Sequence, residues 1–198
     1  MKTQTRNAVT VIGTLVLLFA VILAFVLLNP RILGPPEPGV GIETGQFAPA
    51  FTLRDVNGTD WNLSLHRGQV VLLDFMGARC ATCAVEMGAG GMQYLYRKYS
   101  ARGFEILSID VGGALGTADP AEAWRFVRGL NQDGSRRWEE GPWPVALDNQ
   151  GVDLSYGVGP LPMKYLLDAS GKIVWKHLGY QDYRDTDAME AQITALLP

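Results

Sequence analysis

The chain has 198 residues, 47% hydrophobic and 19% charged, with 11 prolines and two cysteines. That composition excludes a disordered chain, a disulfide-stapled mini-protein and a cysteine-only zinc module. A net charge of −3 lacks the positive field that nucleic-acid binding needs, so no nucleic-acid partner is expected.

Ala8 to Leu28 forms a run without charge, interrupted only by Thr10, Gly13 and Thr14. As a helix it would be about 31 Å long at ~1.5 Å per residue, enough for a ~30 Å hydrocarbon core. A buried core helix is usually shorter and has a polar face. A cleaved signal peptide needs a shorter apolar stretch and a small-x-small site. The run instead ends in Phe25-Val26-Leu27-Leu28-Asn29-Pro30, and an uncleaved anchor is expected over 8–28. Lys2 and Arg6 precede it, whereas all 20 acidic residues follow. Residues 1–7 therefore read as a cytoplasmic tail, with the C-terminal bulk outside the cell membrane on a single-pass anchor. Residues 29–45, with Pro35-Pro36-Glu37-Pro38, read as an extended linker. Residues 46–198 read as the domain it carries.

Within the domain, Phe51-Thr52-Leu53 and Trp61-Asn62-Leu63 flank Asn57-Gly58, a hairpin signal. Val70 to Phe75 is a continuous apolar run around Asp74, as in a strand buried on both faces. Met92, Leu95, Tyr96 and Tyr99 recur at helical spacing, while Gly88, Gly90 and Gly91 weaken the preceding stretch. Phe104 to Asp110 reads as a second central strand. Asp119-Pro120-Ala121-Glu122 reads as a helix start, with a capping aspartate, a first-turn proline and a glutamate three after the cap. Residues 134–140 read as a surface loop. Tyr165-Leu166-Leu167 and Ile173-Val174-Trp175 bracket a turn, and Met189, Ile193, Leu196 and Leu197 supply a closing helix. This order implies an α/β sandwich with a mixed central sheet and an N-terminal β-hairpin extension.

Both cysteines lie in Cys80-Ala81-Thr82-Cys83, after the buried strand and at the start of a helix. Their spacing lets the sulfurs meet across one turn. Unpaired amides at a helix N-terminus stabilise a Cys80 thiolate, and Arg79 is placed to add positive charge. Cys83, one turn inside, is expected to be more buried. Cys80 is thus the candidate nucleophile toward a partner disulfide, and Cys83 the resolving thiol. A half zinc or copper site would need further ligands, and only His66 and His177 offer imidazole. A ring this small constrains little of the unfolded chain, which weakens a purely structural reading.

Further motifs carry a resemblance. Gly45-Gln46-Phe47-Ala48-Pro49-Ala50-Phe51-Thr52-Leu53, Leu63 to Leu73, Asp74 to Cys80, Tyr156 to Pro162, and Tyr165-Leu166-Leu167-Asp168 with Gly171-Lys172-Ile173-Val174 resemble the thioredoxin-fold, membrane-anchored thiol–disulfide oxidoreductases of the TlpA, ResA and CcmG type. The resemblance runs from Gly45 to about Gly179 and implies a thioredoxin-like fold. It implies that Pro162 is the proline, cis in this fold, that lies beside the cysteines and leaves the Leu161 backbone to pair with a substrate chain; Pro160 is the nearby alternative. It also offers Glu86 and Asp74 as proton acceptors for Cys83; the other reading of Glu86 is a solvated helix charge. The sequence departs from the family in Met76 and Arg79, which replace two tryptophans, and in a longer, more polar segment over 112–143.

The expected function is reduction of disulfides in exported proteins, recharged by a membrane electron donor, in the manner of proteins serving cytochrome c maturation. No bound cofactor or resident metal is called for. The rival is a copper-delivery protein for oxidase assembly, with the dithiol holding Cu(I) and His177 as a third ligand. Peroxidase chemistry needs a threonine shortly before the cysteine, and Met76-Gly77-Ala78-Arg79 contains none.

Overall fold

The computed structural model describes residues 17–25 and 39–197, which fall in two separate units. In the first, residues 17–25 are helical, with Leu17, Leu18, Phe19 and Ile22 exposed. No helix among the described residues is long and apolar enough to cross a membrane. The rest of the expected span Ala8–Leu28, the tail 1–7 and the linker over 29–38 lie outside the described residues.

The second unit begins at Gly39. Gly41 N donates to Phe47 O and Phe47 N to Gly39 O, each at 3.0 Å, and Gly45 N donates to Ile173 O at 2.7 Å. The residues expected as the end of the linker are thus laced to the domain from Gly39 on.

A two-stranded hairpin comes first, β1 (Thr52–Arg54) pairing antiparallel with β2 (Asp60–Asn62). The main sheet has five strands in the order β5-β4-β3-β6-β7. These are β3 (Val70–Met76), β4 (Phe104–Asp110), β5 (Val145–Leu147), β6 (Met163–Leu167) and β7 (Ile173–Leu178). β3, β4 and β5 run parallel, and β6 and β7 are antiparallel to their neighbours. This is the mixed α/β sandwich that the element order implies.

All seven residues of β3 are buried because both faces of the sheet are covered. Val70, Leu72 and Met76 pack with α1 (Ala81–Ala89), α2 (Gly91–Tyr99), α3 (Pro120–Val127) and α5 (Tyr183–Leu196). Val71, Leu73 and Phe75 face the hairpin residues Leu53 and Trp61 and the short α4 (Val152–Ser155). Each fully buried leucine here contributes roughly 2 kcal/mol of transfer free energy. The period of two also places Asp74 on the same face as Leu72 and Met76, toward α1.

The glycine-weakened helix is two helices. Gly90 has φ 78° and ends α1 in a left-handed cap before α2 begins. β5 and α4, three and four residues long, are too short for periodicity to show. The loop expected over 134–140 is not wholly at the surface. Trp138 is buried against Phe126, with ring centroids 5.2 Å apart, and donates from Nε1 to Phe126 O at 3.1 Å.

Candidate functional site

β3 ends at Met76, and the chain turns through Gly77, Ala78 and Arg79 into α1. Cys80 is the N-cap of α1, in extended backbone conformation, and its Sγ accepts from Cys83 N at 3.2 Å. The two sulfurs are bonded as a disulfide, with the Cα atoms 5.3 Å apart. Cys80 is 5% exposed and Cys83 1%, in the expected order. The Cys80 sulfur therefore sits where helix amides and dipole favour negative charge.

A clasp fixes this turn to the segment after β4. Asp110 accepts from Ala78 N at 2.8 Å, Gly112 N at 2.9 Å and Thr117 N at 2.8 Å. Burial pushes the Asp110 carboxyl up, and these three amides pull it back. Arg79 N donates to Leu115 O at 2.9 Å. A Cβ on Gly77 would run into that same carbonyl, so the segment can cross here only over glycine. Glu122 leaves its expected capping position and forms a fork with Arg79, Nε to Oε1 at 3.0 Å and Nη2 to Oε2 at 2.8 Å, while Thr117 Oγ1 donates to Oε2 at 2.7 Å. These donors lower the Glu122 carboxyl to about 2. The Arg79 charge expected beside Cys80 is engaged by Glu122.

Behind the disulfide lies a buried charge cluster. Asp74 pairs in register with Ser108 on β4 and Lys164 on β6. Ser108 Oγ donates to Asp74 Oδ2 at 2.8 Å, and Trp143 Nε1 donates to Ser108 Oγ at 2.9 Å. Lys164 is completely buried, and its Nζ reaches Asp74 Oδ1 at 3.1 Å and Glu86 Oε2 at 2.6 Å. Burial alone would push Lys164 down, but the two carboxylates outweigh it and hold its pKa above the usual value. For Glu86 burial is the largest effect; with Lys164 pulling down and Asp74 pushing up, it rises to about 7.

The structure thus brings Asp74 and Glu86 together, and Glu86 is buried rather than a solvated helix charge. The Leu161–Pro162 bond is cis, and Leu161 packs against the core cluster that includes both cysteines. His66 stacks on Trp61 with centroids 4.2 Å apart, and His177 on Trp175 at 5.1 Å. Among the described residues no group of three or more His, Cys, Asp or Glu is arranged to hold a metal ion. Lys164 was not legible as a site residue, although a lone lysine in an otherwise apolar strand two residues after Pro162 is a usable signal.

The AhpC/TSA family model matches residues 44–176, which span the hairpin, the cysteine pair and the cis proline. The chain belongs to the AhpC/TSA family. Within it, the likeness is to the TlpA, ResA and CcmG branch. The thiol–disulfide oxidoreductase ResA of Bacillus thuringiensis (strain Al Hakam) is 33% identical over 154 residues, covering 77% of this chain and 80% of the relative. ResA of Geobacillus thermodenitrificans is 37% identical over 134 residues, 67% of each chain. Among solved structures, a candidate thiol:disulfide interchange protein DsbE from Chlorobium tepidum matches with a TM-score of 0.63 and 29% identity, over 79% of this chain and 99% of that one. The thioredoxin-like fold implied by the sequence is the fold found.

Proposed function

We propose that this protein is a thiol–disulfide oxidoreductase that reduces disulfides in exported proteins, held at the membrane by residues 8–28 with residues 1–7 in the cytoplasm. The observation that carries the reading is the Cys80–Cys83 disulfide at the N-terminus of α1, with the Cys80 sulfur on the helix cap. In the reduced protein the Cys80 thiolate attacks a partner disulfide, and one partner sulfur leaves as a thiolate. Cys83 then loses its proton and attacks Cys80 Sγ. The mixed disulfide breaks, the second partner sulfur departs, and the Cys80–Cys83 bond re-forms with two electrons delivered to the partner. Asp74 and Glu86 are the candidate acceptors of the Cys83 proton, and the backbone before Pro162 is the candidate docking strand for the partner. Arg79 acts on Cys80 through the turn it clamps to Glu122 more than through its charge. A membrane electron donor restores the dithiol, and the kinship with ResA makes exported cytochrome c precursors the first substrates to test.

Cys83→Ser in the full chain should accumulate mixed disulfides on Cys80, and Cys80→Ser should not. Equal disulfide reduction by Cys80→Ser and the native chain would refute the assignment. A potential for the couple below about −250 mV supports a reductant, whereas one near −120 mV makes it an oxidant.

A further inference from the structure

We infer that Lys164 is a positioning residue of the dithiol chemistry: by bridging Asp74 and Glu86 it makes Glu86 the group that takes the proton of Cys83. This rests on the reductase reading above and assigns its proton step.

The geometry separates the two carboxylates. Both oxygens of Asp74 are engaged, Oδ1 by Lys164 and Oδ2 by Ser108, and Ser108 is itself held by Trp143. Glu86 is held by Lys164 through Oε2. It stands on α1 three residues after Cys83, on the same helix face. Asp74 is thus built into the sheet row, while Glu86 projects from the helix that carries the cysteines.

The other groups facing Glu86 leave this division intact. Asp185 raises Glu86 electrostatically, but its Oδ2 accepts from Gln181 N at 2.6 Å and serves the capping box of α5. Tyr180 feels both Glu86 and Asp185, and burial pushes its hydroxyl up, away from ionising. His177, across from Lys164 on β7, lies with its ring flat against Trp175 and with Nε2 3.3 Å from Asp185 Oδ1.

Charge balance then gives Lys164 its function. Without the ammonium, burial and the facing Asp74 carboxylate are left unopposed, and Glu86 stays protonated at neutral pH. With it, Glu86 can be ionised and ready. During resolution the Cys83 S–H bond breaks, the proton passes to a Glu86 oxygen, and the sulfur's electron pair forms the bond to Cys80 Sγ. The cluster goes from one net negative charge to neutral and returns the proton to solvent before the next cycle.

The test is a carboxyl-carbon NMR titration of Glu86 in the full-length oxidised protein in detergent, the resonance being assigned by its loss in Glu86→Gln. Glu86 should titrate near neutrality in the native chain. In Lys164→Met, and in Lys164→Gln, which keeps N–H donors without the charge, its midpoint should rise by about one pH unit or more. The pH profile for release of a model peptide from its Cys80 mixed disulfide should rise with it. A native Glu86 midpoint near 4.5, the ordinary carboxyl value, overturns the inference without any variant. So does an unchanged midpoint in either folded Lys164 variant. The titration uses no substrate, so loss of the reductase reading shows separately, as native protein that titrates as expected yet reduces no disulfide.

Discussion

Burying Glu86 should make the stability of this protein fall as the solution becomes more alkaline through the acid-to-neutral range. Its carboxyl stands at about 7 in the fold against 4.5 when free. A folded value above the unfolded one means that the native state binds the proton more tightly. The associated stability is fully present below pH 4.5 and is lost as pH rises through 7. At ~1.4 kcal/mol per pH unit, the gap corresponds to about 3 kcal/mol. Glu86→Gln carries a permanent neutral mimic of the protonated acid and should lose that dependence. Glu105 and Asp110 are also raised by burial and add a slope of the same sign to both proteins. The difference between the two proteins therefore isolates Glu86. The assay is urea unfolding of the full chain in detergent, oxidised, followed by tryptophan fluorescence at intervals from pH 4.5 to 8. Parallel curves for the native chain and Glu86→Gln would refute the reasoning, as would a native stability that rises over this range.

Other outcomes follow from the same contacts. Trp143→Phe removes the donor to Ser108 and some buried volume, and should cost roughly 2 kcal/mol in a urea titration; a loss within the error of the fit would show that Ser108 needs no support. Gly77→Ala forces a methyl against the Leu115 carbonyl and should destabilise by about 1–3 kcal/mol while speeding proteolysis between Gly112 and Thr117; unchanged proteolysis would mean the crossing is not tight. Arg79→Ala frees the exposed Glu122 fork and should leave the melting temperature nearly unchanged while lowering kcat/KM for a disulfide peptide. A large fall in melting temperature with intact kcat/KM would reverse that division.

Much of the architecture was legible because it is written in periodicity. The continuous run Val70 to Phe75 and the strand Phe104 to Asp110 could be read directly, since a strand covered on both faces must be apolar at nearly every position. The helix cap at Asp119 was legible from side-chain chemistry. What stayed hidden depends on contacts between distant segments. Glu122 has the spacing of a capping glutamate, yet it is drawn to Arg79, 43 residues away. Trp138 sits in a polar stretch and is buried by packing on the distant Phe126 and Gly129. Lys164 reads as an interruption in a strand until register places it beside Asp74 and helix geometry brings Glu86 over both. The cysteine pair stands out by motif and Pro162 by family resemblance, but the cation linking the two acids belongs to no motif.

Ionisation of Cys80 in the reduced protein is the step on which the proposed chemistry depends. Differential alkylation of the two cysteines across a pH series, read by mass spectrometry on the full chain, measures it. Cys80 should react as a thiolate well below the ~8.5 of a free cysteine and outpace Cys83 throughout. Reaction of Cys80 only above that value, or no faster than Cys83, would contradict the claim that the cap of α1 creates the nucleophile.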